Sequence, residues 1–273
     1  MNINSNFEKK YYENIEFWSK EIPERELHRI KTISSYIPDD VHTVLDVGCG
    51  NGIFVNYLKD NFNRFNRIHG MDRSKSAIKY VKTERSLGNI DKLNFKDNEF
   101  DLVVCLEVLE HLPVNIYQKA LNEISRVSKK YIIITVPNNE DLSKHHIECP
   151  GCKTKFHISL HLRSFNKETM QNLFSDNNFF SKQIMPIGEN SYYRLVTPLK
   201  RLINKINGKS IFKLAHTVIC PVCGLVKRGD KSDPVNINTY AKKKSRFISK
   251  IQNYWPKKNN YLWLFGLYIK SGN

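Results

Sequence analysis

The first segment that indicates chemistry is a glycine-rich turn after a short apolar run at positions 44–47. Glycines permit tight turns and let the backbone approach a ligand closely, so such a turn suits nucleotide-like ligands. Ile53 stands where a dinucleotide-binding fingerprint needs its third glycine. The Gly-Lys-Ser/Thr of a phosphate-binding P-loop does not follow either, so the turn matches neither motif. An ordinary strand–turn–helix is the alternative. The residues predicted to bind a ligand here are Asp46, Gly48, Cys49, Gly50 and Gly52.

An acidic residue at the end of the next apolar run, Asp72, is the second candidate. It lies 20 residues after Gly52, near the spacing at which nucleotide-binding folds place the carboxylate that accepts hydrogen bonds from ribose hydroxyls. Aspartate is also a good helix N-cap, so the alternative is a cap on a helix over 74–82. The two roles are compatible, and we favour the ribose role.

A later apolar run at 102–106 leads into Glu107, Glu110 and His111. Ligands of open α/β sheets bind outside the carboxyl ends of the strands, so these side chains are expected at the site. We expect Glu107 to help position a cofactor, and Glu110 and His111 to face the substrate as catalytic residues. His111 is the best general-base candidate because histidine titrates near neutral pH. A purely structural histidine is the alternative.

Two Cys-Pro-x-Cys segments can supply four thiolates to one metal ion. Each Cys-x-x-Cys turn can direct both sulfurs at one ion, and two turns complete the tetrahedron that zinc prefers. A redox pair usually occurs once, so the duplication favours structural zinc, although 67 residues separate the two turns. The predicted zinc ligands are Cys149, Cys152, Cys220 and Cys223. Alternative ligands are His145, His146, His157 and His161.

The elements that must position these residues follow from hydrophobic patterning. Pro23 opens a helix that ends before Pro38, and a second helix covers 116–127. The predicted strands cover 44–47, 67–72, 102–106, 131–136, 179–187 and 261–269.

Together these segments resemble the class I S-adenosylmethionine (SAM) methyltransferases of the ubiquinone-biosynthesis-like branch, over about residues 40–187 plus the last strand. Asp46 before the glycine turn resembles the family's first motif. Residues 88–104 resemble its third and fourth motifs, usually Gly-Asp-Ala-x-x-Leu-Pro-Phe and Phe-Asp-x-Val. Asn89, followed by Ile90, falls at the adenine-contacting Asp of the family, Asn94 replaces its proline, and Asp91 is a second candidate.

The resemblance implies an α/β fold, a Rossmann-like doubly wound and mainly parallel seven-stranded sheet with an inserted cysteine-knuckle and helical subdomain. The aromatic N-terminal segment then caps the cofactor pocket, with surface packing as the alternative. The expected parts are an N-terminal helical cap (1–40), a SAM-binding core (41–144), a first zinc knuckle (145–160), the last helix and sixth strand of the core (161–189), a basic insertion with the second knuckle (190–258) and a final core strand (259–273).

The net charge of +16 is concentrated in residues 199–258, where 15 Lys or Arg and two Asp or Glu contribute +13. Basic amphipathic patterns in this segment predict peripheral contact with an anionic membrane or a polyanion; packed helices with a solvated basic face are the alternative. No apolar run reaches the ~18 residues of a membrane span, and the polar N-terminus has no signal segment. We therefore expect a cytoplasmic protein with peripheral membrane contact. In that compartment the six cysteines are expected to be free thiols or metal ligands and not disulfides.

The resemblance implies transfer of a methyl group from the SAM sulfonium to a nucleophile. The first hypothesis is O-methylation of a small molecule or of a glycan- or lipid-linked precursor. The second is an RNA methyltransferase that holds nucleic acid with the basic zinc-knuckle insertion, although no Asn-Pro-Pro-Tyr-like motif is present. The third is a non-catalytic binding module that keeps the fold.

Overall fold

The computed structural model describes residues 12, 13, 18, 22–193, 218–223, 225–227 and 257–272. Eleven strands lie in these ranges: β1 (Thr43–Val47), β2 (Arg67–Asp72), β3 (Glu84–Leu87), β4 (Phe100–Leu106), β5 (Ser128–Pro137), β6 (His146–Glu148), β7 (Lys155–His157), β8 (Phe179–Tyr193), β9 (Val218–Ile219), β10 (Val226–Lys227) and β11 (Lys257–Lys270). The α-helices are α1 (Glu24–Ser34), α2 (Ile53–Asn61), α3 (Val114–Val127) and α4 (Lys167–Gln171). Short 3₁₀ turns cover Ile78–Tyr80, Leu109–His111, Leu142–His145 and Ser175–Asn177.

Seven of the strands form one sheet in the order β3-β2-β1-β4-β5-β11-β8. Strands β1 to β5 pair in parallel, and β11 runs antiparallel between β5 and β8. The remaining four strands form two antiparallel hairpins, β6 with β7 and β9 with β10. The predicted Rossmann-like, mainly parallel seven-stranded sheet is therefore confirmed, with the last strand of the chain inside it. The domain boundaries given above stay a prediction.

The central strands are apolar on both faces because helices cover both sides of the sheet. In β4, Val103 and Cys105 point into the core that α3 covers, where Ile124 is fully buried. Leu102 and Val104 point into the opposite core, which contains residues of α1 and α2. Because β2 and β4 both pair in parallel with β1, the carboxyl ends of the three strands lie at one edge, where the sequence predicts the site.

Most predicted elements occur at the expected positions, and β8 continues past the predicted end at 187. The helix considered over 74–82 is reduced to the turn Ile78–Tyr80. Val81 ends that turn in extended conformation and packs in a small apolar cluster with Val55 and Ile78, so the chain leaves the helical path there. The basic amphipathic patterns near 195–206 and 242–251 lie outside the described residues. No helix within the described ranges is both long and apolar enough to cross a membrane.

The hydroxyl of Tyr268 connects β11 to α4. It is fully buried and donates a hydrogen bond to the carbonyl oxygen of Met170 at 2.6 Å. We expect Tyr268→Phe to lower the free energy of unfolding by about 0.5–1.5 kcal/mol, the net contribution of one hydrogen bond, because the Met170 carbonyl keeps the Leu173 N–H as a donor at 3.3 Å. Urea denaturation measures the change, with half-exposed Tyr80→Phe as the control. Equal stability of the two variants would contradict this role.

Candidate active site and four-cysteine cluster

The turn after β1 depends on glycine at two close contacts. Gly48 and Gly50 have φ values of +80° and +55°, which residues other than glycine rarely adopt. A Cβ at Gly48 would lie 2.6 Å from Cγ2 of Val108, and one at Gly50 would lie 2.7 Å from Cζ3 of Trp18. The turn is thus covered by the loop after β4 on one side and by an N-terminal tryptophan on the other. Gly52 follows as the left-handed residue that begins α2.

The Asp72 carboxylate joins the ends of β1 and β2. Its Oδ2 accepts a hydrogen bond from the Gly50 backbone N–H and its Oδ1 accepts one from the Ser74 N–H, both at 2.8 Å. Burial raises the pKa of Asp72, and these backbone donors oppose the shift. Each oxygen keeps acceptor capacity, since a carboxylate offers about four lone-pair sites.

A cavity of about 1080 Å³ lies beside this carboxylate, at the carboxyl edge of the sheet. The predicted site residues that line it are Gly48, Asp72, Asn89, Ile90, Glu107 and His111. Those that do not line it are Asp46, Cys49, Gly50, Gly52 and Glu110. The structure therefore brings all these predicted residues to the same edge of the sheet, but only those in the first list contact the cavity.

Asp46 lies beneath the turn and is 2 % exposed. Burial raises its pKa to about 8, the neighbouring Asp72 raises it further, and Arg29 opposes the shift. Its Oδ1 has no hydrogen-bond partner within the described ranges. Asp46 is therefore placed to support the turn, and its predicted contact with a ligand stays a prediction.

Glu107 ends β4 in a left-handed conformation, with φ of +58°. Its Oε1 lies 3.5 Å from Nη1 of Arg29, a residue of α1 that the sequence patterns did not indicate. Burial raises the pKa of Glu107 to about 7, and Arg29 opposes the shift. Glu107 lines the cavity, and a left-handed residue there is a strained conformation of the kind that clusters at ligand sites.

Tyr12 and Trp18 cover the cavity from the N-terminal side. The Tyr12 carbonyl accepts hydrogen bonds from Oγ of Ser74 at 2.7 Å and from Nε1 of Trp18 at 2.6 Å. The Arg73 guanidinium lies 5.1 Å from the centre of the Tyr12 ring. These contacts attach the predicted cap residues to the loop after β2.

His111 and Glu110 occupy the 3₁₀ turn after β4 and differ in environment. His111 lines the cavity, and burial, with His161 nearby, lowers its pKa to about 3, so its imidazole is neutral near pH 7. Glu110 is fully buried, and neither carboxylate oxygen has a hydrogen-bond partner in the described part of the chain. The predicted general base therefore faces the cavity, whereas Glu110 lies behind it. Both catalytic roles stay predictions.

Two further cavity residues come from segments without a sequence signal for ligand binding. Arg163 lies 3.7 Å above the ring centre of Tyr117 and donates a hydrogen bond to the Leu112 carbonyl. Asn115 lies in the first turn of α3 and also lines the cavity. Isolated Arg and Asn residues carry no spacing pattern, so only the folded chain assigns them to the site.

The four predicted cysteines meet, although 67 residues separate the two pairs. The Sγ atoms of Cys149 and Cys223 lie 3.5 Å apart, as do those of Cys152 and Cys220. All four sulfurs lie within 4.8 Å of one another. The two pairs occupy similar turns, because Cys149 N–H donates to the Thr154 carbonyl and Cys220 N–H to the Leu225 carbonyl, each at 2.9 Å. The predicted meeting of the knuckles is confirmed.

Comparison with known proteins identifies the family of the central segment. Residues 45–134 match the family described as Methyltransferase domain. An uncharacterized protein of Methanocaldococcus jannaschii is 41% identical over 148 residues, which cover 53% of this chain and 61% of that protein. A ubiquinone biosynthesis O-methyltransferase of Rickettsia bellii is 30% identical over 138 residues, 43% of this chain and 55% of that protein. The chain thus spans little more than half the length of these relatives.

Solved structures show the same fold at low sequence identity. A SAM-dependent methyltransferase of Archaeoglobus fulgidus superimposes with a TM-score of 0.55 at 18% identity, over 95% of this chain and 99% of that one. A magnesium protoporphyrin IX methyltransferase of Synechocystis, solved with bound SAH, superimposes with a TM-score of 0.51 at 13% identity. The match covers 67% of this chain and 93% of that one. From the sheet order and the family match, we conclude that this chain contains a class I SAM-dependent methyltransferase domain.

Proposed function

We propose that the protein is a SAM-dependent methyltransferase that methylates an oxygen of a small molecule or of a glycan- or lipid-linked precursor. The observation that carries this proposal is the Asp72 carboxylate, which two backbone N–H groups fix at the wall of the cavity beside Gly48. A fixed acceptor at the end of the second strand suits the two hydroxyls of a ribose.

The cavity has room for a cofactor together with an acceptor. Its volume of about 1080 Å³ lies just above the roughly 300–1,000 Å³ that small-ligand pockets occupy. We place the adenine beside Asn89 and Ile90 and the amino-acid part beside the glycine turn, where a Cβ at Gly48 would fill the space against Val108. Tyr12 and Trp18 exclude water from the same side.

The acceptor side of the cavity carries His111. SAM supplies a methyl group on its sulfonium, so the protein must orient the acceptor oxygen and manage its proton. A neutral imidazole can accept that proton as the oxygen forms its bond to carbon and the sulfur keeps the electron pair of the broken bond. The Rickettsia bellii relative is a ubiquinone biosynthesis O-methyltransferase, which supports an oxygen acceptor.

We also propose that the four-cysteine cluster holds one structural zinc ion. A tetrahedral ion with Zn–S bonds of about 2.3 Å separates its sulfurs by about 3.8 Å, and the two measured Sγ–Sγ distances are 3.5 Å. Phe156 and Leu160 pack against Cys149 and Cys220. Zinc would therefore stabilise the segment between β7 and α4, which leads to the acceptor side of the cavity.

The ribose assignment predicts the behaviour of Asp72→Ala. We expect its affinity for SAM to fall by about 1–3 kcal/mol, because the ribose hydroxyls lose a buried acceptor. Isothermal titration calorimetry measures the change, with exposed Asp60→Ala as the control. Unchanged affinity in Asp72→Ala would remove the ribose assignment, and no SAM binding by the unsubstituted protein would overturn the proposed function.

The zinc assignment predicts one zinc per chain in protein purified without an affinity metal. We expect Cys149→Ser to lose most of that zinc, because one of four thiolates is absent, while Cys105→Ala in β4 retains it. Elemental analysis measures both. A zinc content near zero in the unsubstituted protein, with all four cluster thiols reactive in the native state, is the outcome that would exclude the site.

A further inference from the structure

One half-buried arginine on the wall of the cavity, Arg163, has no acidic partner among the described residues. Four other arginines each place a guanidinium nitrogen 2.8 Å from a carboxylate oxygen; they are Arg29, Arg64, Arg67 and Arg126. The Nε of Arg163 is buried and has no hydrogen-bond partner in the described part of the chain. Burial lowers the pKa of Arg163, and Tyr117, not a carboxylate, opposes the shift. Because arginine stays protonated in proteins, the wall carries a positive charge that no described carboxylate neutralises.

The guanidinium of Arg163 is held in place from two sides. It lies 3.7 Å from the ring centre of Tyr117 in α3 and donates a hydrogen bond to the Leu112 carbonyl. The backbone before it is fixed as well, because the Leu162 N–H donates to the Glu110 carbonyl at 2.8 Å. A guanidinium has five N–H donors, and the bond to Leu112 uses one of them. A side chain that is already fixed loses little conformational entropy when it binds a ligand.

These contacts place Arg163 at the acceptor side of the cavity. The turn to which it is bonded also carries His111, and both residues line the cavity. The acidic residues that line the cavity are Asp72, Asp91 and Glu107. The first is bonded to the glycine turn and the last faces Arg29. The cavity therefore separates its carboxylates from the guanidinium of Arg163.

The first turn of α3 favours negative charge at the same wall. Pro113, Val114 and Asn115 line the cavity at this end of the helix. No side chain caps the helix there, and its first turn contains no acidic residue. The N–H groups and the dipole at the start of a helix stabilise a nearby anion. This effect adds to the charge of Arg163, on which the inference rests.

From this geometry we propose that the methyl acceptor carries an oxyanion, a carboxylate or a phosphate, and that Arg163 binds it and thereby determines specificity. The inference rests on the proposed function and deepens it, because it names the chemical class of the acceptor. A planar guanidinium matches both oxyanions through paired N–H···O bonds. Leu112 and Ile116, which also line the cavity, offer apolar contact to the rest of the molecule. An acceptor held in this way lies along the wall that carries His111, with its hydroxyl toward the cofactor.

Binding of simple anions to the full chain, with and without SAH, tests this role of Arg163. The probes are benzoate, phenyl phosphate and benzamide, which is the neutral counterpart of benzoate. We expect both anions to bind saturably and about tenfold or more tighter than benzamide, because charge-assisted hydrogen bonds are roughly twice as strong as neutral ones. The comparison of benzoate with phenyl phosphate distinguishes a carboxylate acceptor from a phosphate acceptor.

Three variants separate the charge of Arg163 from a structural role. We expect Arg163→Gln to abolish the preference for benzoate over benzamide, and Arg163→Lys to keep part of it, since lysine retains the charge without the planar group. The matched control is Arg25→Gln, because Arg25 is exposed on α1 and does not line the cavity. A merely structural role would weaken benzoate and benzamide binding alike in both Arg163 variants, and that result would overturn the inference.

The SAM affinity of each variant, measured by calorimetry, keeps the cofactor and the acceptor apart. We expect Arg163→Gln to bind SAM as tightly as the unsubstituted protein. A SAM affinity that falls together with the benzoate affinity would assign Arg163 to the carboxylate of the cofactor and overturn the inference. Absence of saturable binding of both anions, or an equal preference for benzoate in Arg163→Gln and the unsubstituted protein, would overturn it too. The expected anion binding without SAM binding would overturn the proposed function alone.

Discussion

The hydrogen bond from the Gly50 N–H to the Asp72 carboxylate, at 2.8 Å, is the contact on which the site depends. It joins the turn after β1 to the end of β2, and the other oxygen of the same carboxylate accepts a hydrogen bond from the Ser74 N–H. A side chain at Gly50 would collide with Trp18. The turn, the acid and the aromatic cover are therefore one unit, and a change in any of them moves the wall of the cavity.

Three buried carboxyl groups are the second constraint, and one arginine, Arg29, lies close enough to lower the pKa of each. Asp46, Glu107 and Glu110 are packed around the carboxyl ends of β1 and β4, and burial raises the pKa of each. Arg29 opposes all three shifts, and its guanidinium also lies 4.9 Å from the ring centre of Trp263 in β11. A single cation cannot neutralise three carboxylates, so the raised pKa values keep part of this group protonated near neutral pH.

The segment that packs against the cysteine cluster also carries His157 and His161, which contact Glu140. Phe156 and Leu160 lie against the buried cysteines, and His157 and His161 alternate with them along the same short segment. Fixing the knuckles by zinc would therefore also fix the histidines beside the cavity. With the proposed zinc bound, this segment would support the side of the cavity where we propose that the acceptor binds.

The sequence by itself determined six of the seven strands of the sheet, because apolar runs and the Asp46–Gly52 spacing are local patterns. The seventh, β3, is largely exposed and has no apolar run, and only the resemblance implied its presence. It also identified Asp72, His111 and the four cysteines, since type and spacing alone express their chemistry. Only the tertiary structure decided which of these residues touch the cavity: His111 lines it and Glu110 does not.

The tertiary structure also decided the partners that no local pattern records. Arg29, Glu140, Arg163 and His161 come from distant segments, and no period or motif links them to β4 in the sequence. The physical reason is that contact between such residues follows from the order in which the strands pair, above all from the insertion of β11 between β5 and β8. Strand order is set by burial summed over the whole sheet, so local patterns could indicate candidate residues at the strand ends but not which residues line the cavity or pack beside it.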